Sequence, residues 1–538
     1  MHVPRHVVAF EPSGYSVSVN STTTILEAAR SLGLFIPSDC GGQGTCGKCR
    51  VTFRPVSIPT EKDLRHLSPF EIATGFRLAC EHVIDRRTWV TLPQTVQAKI
   101  LTSGKSKPMK RQRDPGLVGQ KGVAIDLGTT TVVAYLMDLQ TGVQLAQAAT
   151  LNPQIAFGED VMSRIDFATR AESGGAALRE RILSCIDELV MQLLTIAAMS
   201  PKVVSRLSIV GNTAMHHLLL GLDVSTLGLA PYKPLMRHSV TSSVESLGLK
   251  SVGSAEAYIA PNIAGFVGGD AVGFILSQGL DSGKDTILGI DIGTNAEIVL
   301  AHNGKAVCCS AAAGPAFEGA RITHGMRGQD GAIEHVHIDA PENPPDLFVI
   351  GDSPPQGLCG SGILDTVAEL RRVGIVDRKG RMYPSARVNR GEQGLYYVLT
   401  GSVDSDTESR IVFTQSDVRQ VQLAKAAISA GTRVLMEVCG VRPADIDLLF
   451  LAGAFGNYLR PESALRIGLF PPIPVDRIVP VGNAAGEGAK RLLLSSRERA
   501  HAERLIDEVE YIELATHPSF AQMFMEATLL ESEPQGMV

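Results

Sequence analysis

The chain has 538 residues, too many for one hydrophobic core, since single cores stop growing at roughly 250–300 residues. A hydrophobic fraction of 44% with 20% charged residues is that of a globular protein, and 53 glycines promise many tight loops able to approach phosphates. A net charge of −6, an N-terminus without an apolar signal core and no unbroken apolar span of about 20 residues lead us to expect a cytoplasmic protein that binds neither nucleic acid nor membrane.

Residues 7–10 and 15–19 read as two strands joined by the turn-forming Glu11-Pro12-Ser13-Gly14. Ser21 to Thr24 then cap a helix with Ile25, Leu26, Ala29 and Leu32 at helical spacing, which Gly33 ends. Apolar periodicity vanishes over residues 94–120, where the run Lys105-Ser-Lys-Pro-Met-Lys-Arg-Gln-Arg113 has the composition of a solvated linker. From Lys121 onward strand-like runs alternate with longer helical patterns, as at 122–137, 178–198 and 206–210, which predicts an α/β architecture. An internal echo, Val123-Ala-Ile-Asp126-Leu-Gly128-Thr129-Thr130 against Leu288-Gly-Ile-Asp291-Ile-Gly293-Thr294-Asn295, predicts two related halves.

The nine cysteines are odd in number and unevenly spread, which argues against a disulfide framework. Four of them, Cys40, Cys46, Cys49 and Cys80, form a C-x5-C-x2-C loop with a distant fourth member. Short spacing lets one loop wrap an iron-sulfur cluster, and Gly41, Gly42, Gly44 and Gly47 free its backbone to bring amide N–H groups toward the sulfurs. A four-cysteine zinc site is the alternative, but zinc ribbons usually pair two C-x2-C knuckles and one is present. Cys308, Cys309, Cys359, Cys185 and Cys439 read as packed thiols, with redox activity near the nucleotide loops the alternative for the first three, and the adjacent His216 and His217 as structural histidines that do not share a helix face. This segment resembles the 2Fe-2S ferredoxins, with Arg77-Leu-Ala-Cys80 standing where that family places its fourth ligand. The five-residue first gap is closer to the adrenodoxin-like variant than to the plant type.

Asp126-Leu-Gly128-Thr129-Thr130-Thr131 follows an apolar strand and precedes further β-prone residues, the pattern of a tight hairpin. Its glycine and threonine amides and hydroxyls suit phosphate oxygens, and its aspartate suits Mg²⁺ and its waters. Asp291-Ile-Gly293-Thr294-Asn295 offers a second such hairpin, and no P-loop motif is present. Two such motifs resemble the superfamily of actin, sugar kinases and heat-shock chaperone ATPases, whose fold is two RNase H-like lobes around ATP. Gly453, Ala454 and Gly456 in Leu451-Ala-Gly-Ala-Phe-Gly-Asn457 resemble its adenosine-binding segment. Gly360, Ser361 and Gly362 are candidates to approach phosphate, with a plain turn as the alternative. Gly268-Gly-Asp270 and residues 482–488 are candidates for the helices that meet between the lobes. Asp160 and Glu318 are candidate water-orienting carboxylates, with a capping role as the alternative.

The fold expected is therefore α/β and multidomain. A β-grasp 2Fe-2S ferredoxin domain covers residues 1–93 and a flexible linker 94–120. An actin-like ATP-binding domain covers 121–538, with lobes at about 121–284 and 285–538. A ferredoxin domain fused to this ATPase fold resembles the reductive activators of corrinoid-dependent enzymes. Gly211-Asn-Thr-Ala-Met-His-His-Leu, Pro261-Asn-Ile-Ala-Gly-Phe-Val-Gly-Gly-Asp270, Ala313-Gly-Pro-Ala-Phe-Glu318-Gly-Ala and Leu358-Cys-Gly-Ser-Gly362 carry that resemblance. It implies ATP-dependent return of Co(II) to Co(I) in the corrinoid protein of a methyltransferase system, with a 2Fe-2S cluster, ATP and Mg²⁺ as cofactors. A low-potential electron donor and a homodimer are among its implications. In this reading Asp126 and Asp291 support Mg²⁺-ATP, and Gly128, Thr129, Thr130, Gly293, Thr294 and Asn295 hold phosphates. The chain departs from longer family members in having no room for a separate middle domain. An ATP-dependent chaperone or assembly factor and a small-molecule kinase with a ferredoxin appendage are the rival readings.

Overall fold

The computed structural model describes residues 4–11, 14–32, 34, 36–38, 42–92, 112–171, 173–281, 283–391, 394–401, 410–456 and 458–530. Cys40, Gly33, Asn457 and the expected linker up to residue 111 lie outside the described residues.

The first domain is a mixed sheet of β1 (Arg5–Glu11), β2 (Tyr15–Asn20), β3 (Arg50–Arg54), β4 (Phe76–Leu78) and β5 (Thr88–Thr91), in the order β2-β1-β5-β3-β4. β1 and β2 pair as the expected hairpin, and β5 joins β1 in parallel. The helix Ile25–Ser31 starts where Thr24 accepts from the Glu27 N–H while Glu27 accepts from the Thr24 N–H, a reciprocal cap. Its Ile25, Leu26, Ala28 and Ala29 pack with Val8 and Phe10 of β1 in one buried cluster. This is the β-grasp arrangement.

Residues 112–120 are not linker. The Asp114 N–H donates to Leu494 O at 2.8 Å, its carboxylate pairs with Arg206 at 2.8 Å and accepts from Ser496, and Leu117 is buried. These contacts tie the segment to the lobe it precedes, an anchorage that local composition does not reveal.

The first lobe holds β6 (Lys121–Leu127), β7 (Thr131–Asp138), β8 (Gln144–Leu151), β9 (Val204–Gly211), β10 (Val240–Ser243) and β11 (Glu256–Ile259), ordered β10-β11-β9-β6-β7-β8. The second begins with β12 (Ile287–Ile292), β13 (Ala296–His302) and β14 (Lys305–Ala311). Two three-stranded sheets follow, β15 (Ala332–His337) with β16 (Asp346–Val349) and β17 (Gly357–Leu358), and β18 (Val388–Gly391) with β19 (Gly394–Val398) and β20 (Val412–Thr414). The lobe's main sheet is completed by β21 (Leu448–Ala452), β22 (Ile478–Gly482) and β23 (Glu510–Tyr511), in the order β22-β21-β12-β13-β14-β23.

The two lobes share a topology: an antiparallel three-strand meander, then a parallel strand beside the first, then another outside that. β6 pairs in parallel with β9 as β12 does with β21. The sequence echo at Asp126 and Asp291 therefore marks the ends of equivalent first strands. The helices Gly269–Gln278 and Ala484–Leu494 cross between the lobes with almost no separation, since a Cβ on Gly488 would lie 2.2 Å from the Gly273 Cα. Around that crossing a shared core joins β6 and β7 side chains such as Ala124 and Val133 to Val299 and Cys308 of the second lobe.

Candidate active site and cluster loop

The ends of β6 and β12 open onto one cavity of about 830 Å³, walled by both lobes. Asp126, Gly128, Thr129, Thr130, Asp160, Asp291, Gly293, Thr294, Asn295, Glu318, Gly360, Ser361 and Gly453 all line it. Residues scattered over more than three hundred positions thus converge on one space. Ala454 and Gly456 lie in the adjoining short helix, whose Phe455 reaches the wall and stacks on Phe317 at 5.1 Å. A Cβ on Gly456 would instead meet Leu451, so this glycine serves close packing under the wall.

The first hairpin turns tightly, with the Gly128 N–H donating to Thr131 O at 3.1 Å, and a Cβ on Gly128 would sit 2.6 Å from that oxygen. Three side chains brace it. Asn152 Nδ2 donates to Gly128 O at 2.9 Å, Asn212 Nδ2 to the Thr129 hydroxyl at 2.8 Å, and Arg164 to Thr129 O at 2.6 Å. These three contacts hold the loop in one shape and use none of its backbone amides. The second hairpin is closed by the Gly293 N–H to Asn295 O at 2.9 Å. Glu318 spans the two, accepting from the Thr294 hydroxyl at 2.7 Å and from the Thr130 hydroxyl at 3.4 Å.

Acidity concentrates on the cavity floor. Burial pushes Asp291 up to about 7, with the Asp270 and Asp126 charges adding to the effect. Burial also raises Asp126 to about 7, opposed by the Asn483 amide, which donates to its Oδ2 at 2.7 Å. Asp270 rises to about 6, again through burial. Three carboxyls in electrostatic reach of one another, each resisting ionisation, suit a site completed by a divalent cation and its waters. Asp160 takes the capping role, accepting from the Ser163 N–H at 2.7 Å to start the helix Val161–Arg170.

In the first domain, the buried Cys49 and Cys80 bring their Sγ atoms to 3.3 Å, and Cys46 lies on the same loop as Cys49. Gly42, Gly44 and Gly47 adopt φ of +101°, +72° and +66°, the left-handed region in which a side chain is strained. A Cβ on Gly47 would also lie 2.8 Å from the His66 Cβ. This donor set on a glycine-rich loop fits a thiolate-held iron-sulfur cluster.

Three family models match along the chain: the 2Fe-2S iron-sulfur cluster binding domain over residues 8–85, the RACo middle region over 121–283, and the C-terminal domain of RACo, the ASKHA domain, over 285–537. The corrinoid activation enzyme RamQ of Eubacterium limosum is 38% identical over 420 residues, covering 76% of this chain and 70% of the relative. This chain belongs to the family of corrinoid-protein reductive activators. A solved reductive activator for a corrinoid, iron-sulfur protein superposes with a TM-score of 0.71 at 31% identity, covering 98% of each chain. The Co(II) methylated amine-specific corrinoid protein reductase of Methanosarcina barkeri is 25% identical over 438 residues, covering 75% of this chain and 76% of the relative.

Membership corrects one expectation. The activators' middle region is present here as the first lobe and is not missing from the chain. The family's two cofactors follow from its domains: a 2Fe-2S cluster and ATP. No helix among the described residues is long and apolar enough to cross a membrane.

Sequence reading missed Asn152, Arg164 and Asn212 as braces and Asn483 as the partner of Asp126. Asn212 and Asn483 each begin a helix just after a strand of the main sheets, and a capping asparagine at a strand end was the available signal. His217 is structural as expected, accepting from the Leu235 N–H at Nε2 and bonded through Nδ1 to Thr213 O. Cys308 and Cys309 are buried and their thiols pushed far up by that burial, so they are inert packing groups.

Proposed function

We propose that the chain uses ATP to drive the one-electron reduction of a corrinoid protein from Co(II) to Co(I). The observation that carries this reading is Glu318 joining the phosphate-type hairpins of both lobes across one cavity, on a chain that also holds a thiol-lined cluster loop.

The residues divide the work. Asp126 and Asp291 would hold a divalent cation such as Mg²⁺, which would screen the phosphate charge, and Asn483 fixes the orientation of Asp126. Gly128 to Thr130 and Gly293 to Asn295 present amides and hydroxyls to the phosphates. Gly453 and Phe455 border the nucleoside end, beside the Phe317 ring. Glu318 orients the attacking water once nucleotide draws the two threonine hydroxyls away from it. Asp160 is the weaker candidate for that task, because its Oδ1 is already engaged as a helix cap.

Cys40, Cys46, Cys49 and Cys80 hold the cluster, which when bound supplies single electrons received from a low-potential donor. For a one-electron step each 59 mV of shortfall is a factor of about ten, so a donor a few hundred millivolts short forms almost no Co(I) unaided. Nucleotide closes that gap by binding one conformation of the activator and corrinoid complex better than another.

The test is to mix the purified chain, a strong reductant and a Co(II) corrinoid protein while recording the Co(I) absorption band. Co(I) is expected only when ATP is present. Equal Co(I) without nucleotide across a panel of corrinoid proteins would overturn the reading and favour a chaperone role.

A further inference from the structure

Ser38 precedes Cys40 by two residues and donates its backbone N–H to Glu159 Oε1 at 3.3 Å. The segment leading into the cluster ligands therefore touches the first lobe. It does so one residue from Asp160, which lines the cavity and caps the helix Val161–Arg170. On that helix Arg164 is wholly buried. Its Nε donates to Gly158 O at 2.8 Å and a terminal nitrogen donates to Thr129 O at 2.6 Å. One rigid guanidinium thus ties the 158–160 turn to the back of the first phosphate hairpin.

The turn itself has no slack. A Cβ on Gly158 would lie 2.4 Å from the Ser163 hydroxyl and 2.9 Å from the Arg164 nitrogen. Burial pulls Arg164 down to about 9, against the opposing charges of Asp160, Glu159 and Glu318. The arginine is thereby coupled both to the residue that meets the cluster domain and to the carboxylate that bridges the hairpins.

We infer that the turn Gly158-Glu159-Asp160 couples the seating of the cluster domain to occupancy of the nucleotide hairpin, with Glu159 as the contact and Arg164 as the positioning residue that transmits it. The inference rests on the assignment of the cavity as the nucleotide site. A hairpin that shifts onto phosphates carries the Thr129 carbonyl with it, then Arg164, then the Gly158 carbonyl and the Glu159 side chain. Coupling of this kind is reciprocal. The factor by which nucleotide changes domain seating equals the factor by which a seated domain changes nucleotide affinity.

Hydrogen–deuterium exchange on the full, cluster-loaded chain tests this, with and without a non-hydrolysable ATP analogue and Mg²⁺. In the unsubstituted chain the analogue should slow exchange at residues 128–131. It should also alter exchange at 36–38 and 42–49 by roughly fivefold or more, the low end of ordinary coupling. Glu159→Ala should keep the first response and lose the second. Ser38→Pro, which removes the donating N–H and leaves Glu159 in place, should do the same. Glu159 lies outside the cluster domain, so its variant decides the matter even where Ser38→Pro fails to load a cluster. A cluster-loop response that survives Glu159→Ala overturns the inference. So does its absence from the unsubstituted chain while the hairpin is protected. An unprotected hairpin would instead overturn the nucleotide assignment on which the inference stands.

Discussion

Thr294 donates its hydroxyl to Glu318 Oε1 at 2.7 Å, while the other oxygen of the same carboxylate faces the Thr130 hydroxyl of the opposite lobe at 3.4 Å. A single side chain therefore closes the gap that phosphates fill in the proposed complex. In the proposed water-orienting role Glu318 would contribute to turnover and little to ground-state binding. Glu318→Gln keeps one acceptor in its amide oxygen, replaces the other by a donating NH2 of the same shape, and cannot take up a proton. It is expected to lower kcat for ATP hydrolysis by about 10²–10⁴-fold with nucleotide affinity within a few-fold of the unsubstituted chain. Steady-state ATPase assays beside calorimetric titration check this, and an unchanged kcat would remove Glu318 from the chemistry.

The raised carboxyls make stability depend on pH in a defined sense. Asp126 and Asp291 reach about 7 and Asp270 about 6, chiefly through burial. A carboxyl whose folded pKa exceeds its unfolded value of about 4 holds its proton more tightly when folded. The stability it contributes is complete below about 4 and is lost as pH climbs to about 7. Asp291→Asn removes one of these charges. Its Tm should gain on that of the unsubstituted chain steadily across this window, while ATP turnover is lost. Saturating Mg²⁺ should raise the unsubstituted chain's Tm above the window and leave the variant little changed. Thermal melts at several pH values, with and without Mg²⁺, decide it.

How much of this was legible beforehand depends on whether a residue acts through its neighbours in sequence or in space. The paired Asp126 and Asp291 strand ends were readable because strand, turn and acidic side chain lie within a few residues of one another. Arg164 was not, because its partners Thr129, Gln154, Gly158 and Met215 meet only after β6 and the helices fold together. The same holds for residues 112–120, whose composition reads as linker while Asp114 is pinned to Arg206 and Ser496. Asp160 was ambiguous for the opposite reason. An aspartate three residues before a serine is a good local cap, and the local role is the one its side chain adopts.

The two cofactor sites should separate under mutation. Cys49 and Cys80 bring their sulfurs to 3.3 Å, and Cys80 is close to fully buried. Cys80→Ser preserves volume but replaces a thiolate ligand by a hydroxyl that stays protonated at neutral pH. The variant is expected to lose the visible absorption and bound iron and sulfide of the cluster, and to form no Co(I). Its affinity for ATP should fall by no more than the coupling between the sites allows, roughly 5–150-fold, and saturable binding should persist. Iron and sulfide analysis with nucleotide titration on the same preparation checks both halves.

The crossing of the helices Gly269–Gln278 and Ala484–Leu494 is the last point at which a small change should have a large effect. A Cβ on Gly488 would meet the Gly273 Cα at 2.2 Å and its carbonyl oxygen at 2.3 Å, and both contacts are backbone. Backbone cannot turn aside as a flexible side chain would, so Gly488→Ala has to move one helix away from the other. Such overpacking costs about 1–3 kcal/mol in a well-packed core. The displacement also acts on function, because Asn483 starts the second of these helices and donates to Asp126, and Asp270 sits in the first turn of the other. Spreading the helices therefore shifts Asp126 relative to Asp270, two of the three raised carboxyls at the proposed cation site. Gly488→Ala should lower Tm and weaken Mg²⁺-ATP binding at least about tenfold, a loss of 1.4 kcal/mol. The cluster absorption should stay intact, because the first domain takes no part in the crossing. Gly374→Ala provides the control for glycine substitution as such: that residue is left-handed, with φ of +80° and no atom within 4 Å of an added Cβ, so it should lower Tm without touching nucleotide affinity. Equal nucleotide affinity in the Gly488 variant and the unsubstituted chain would show that the lobes close without this contact.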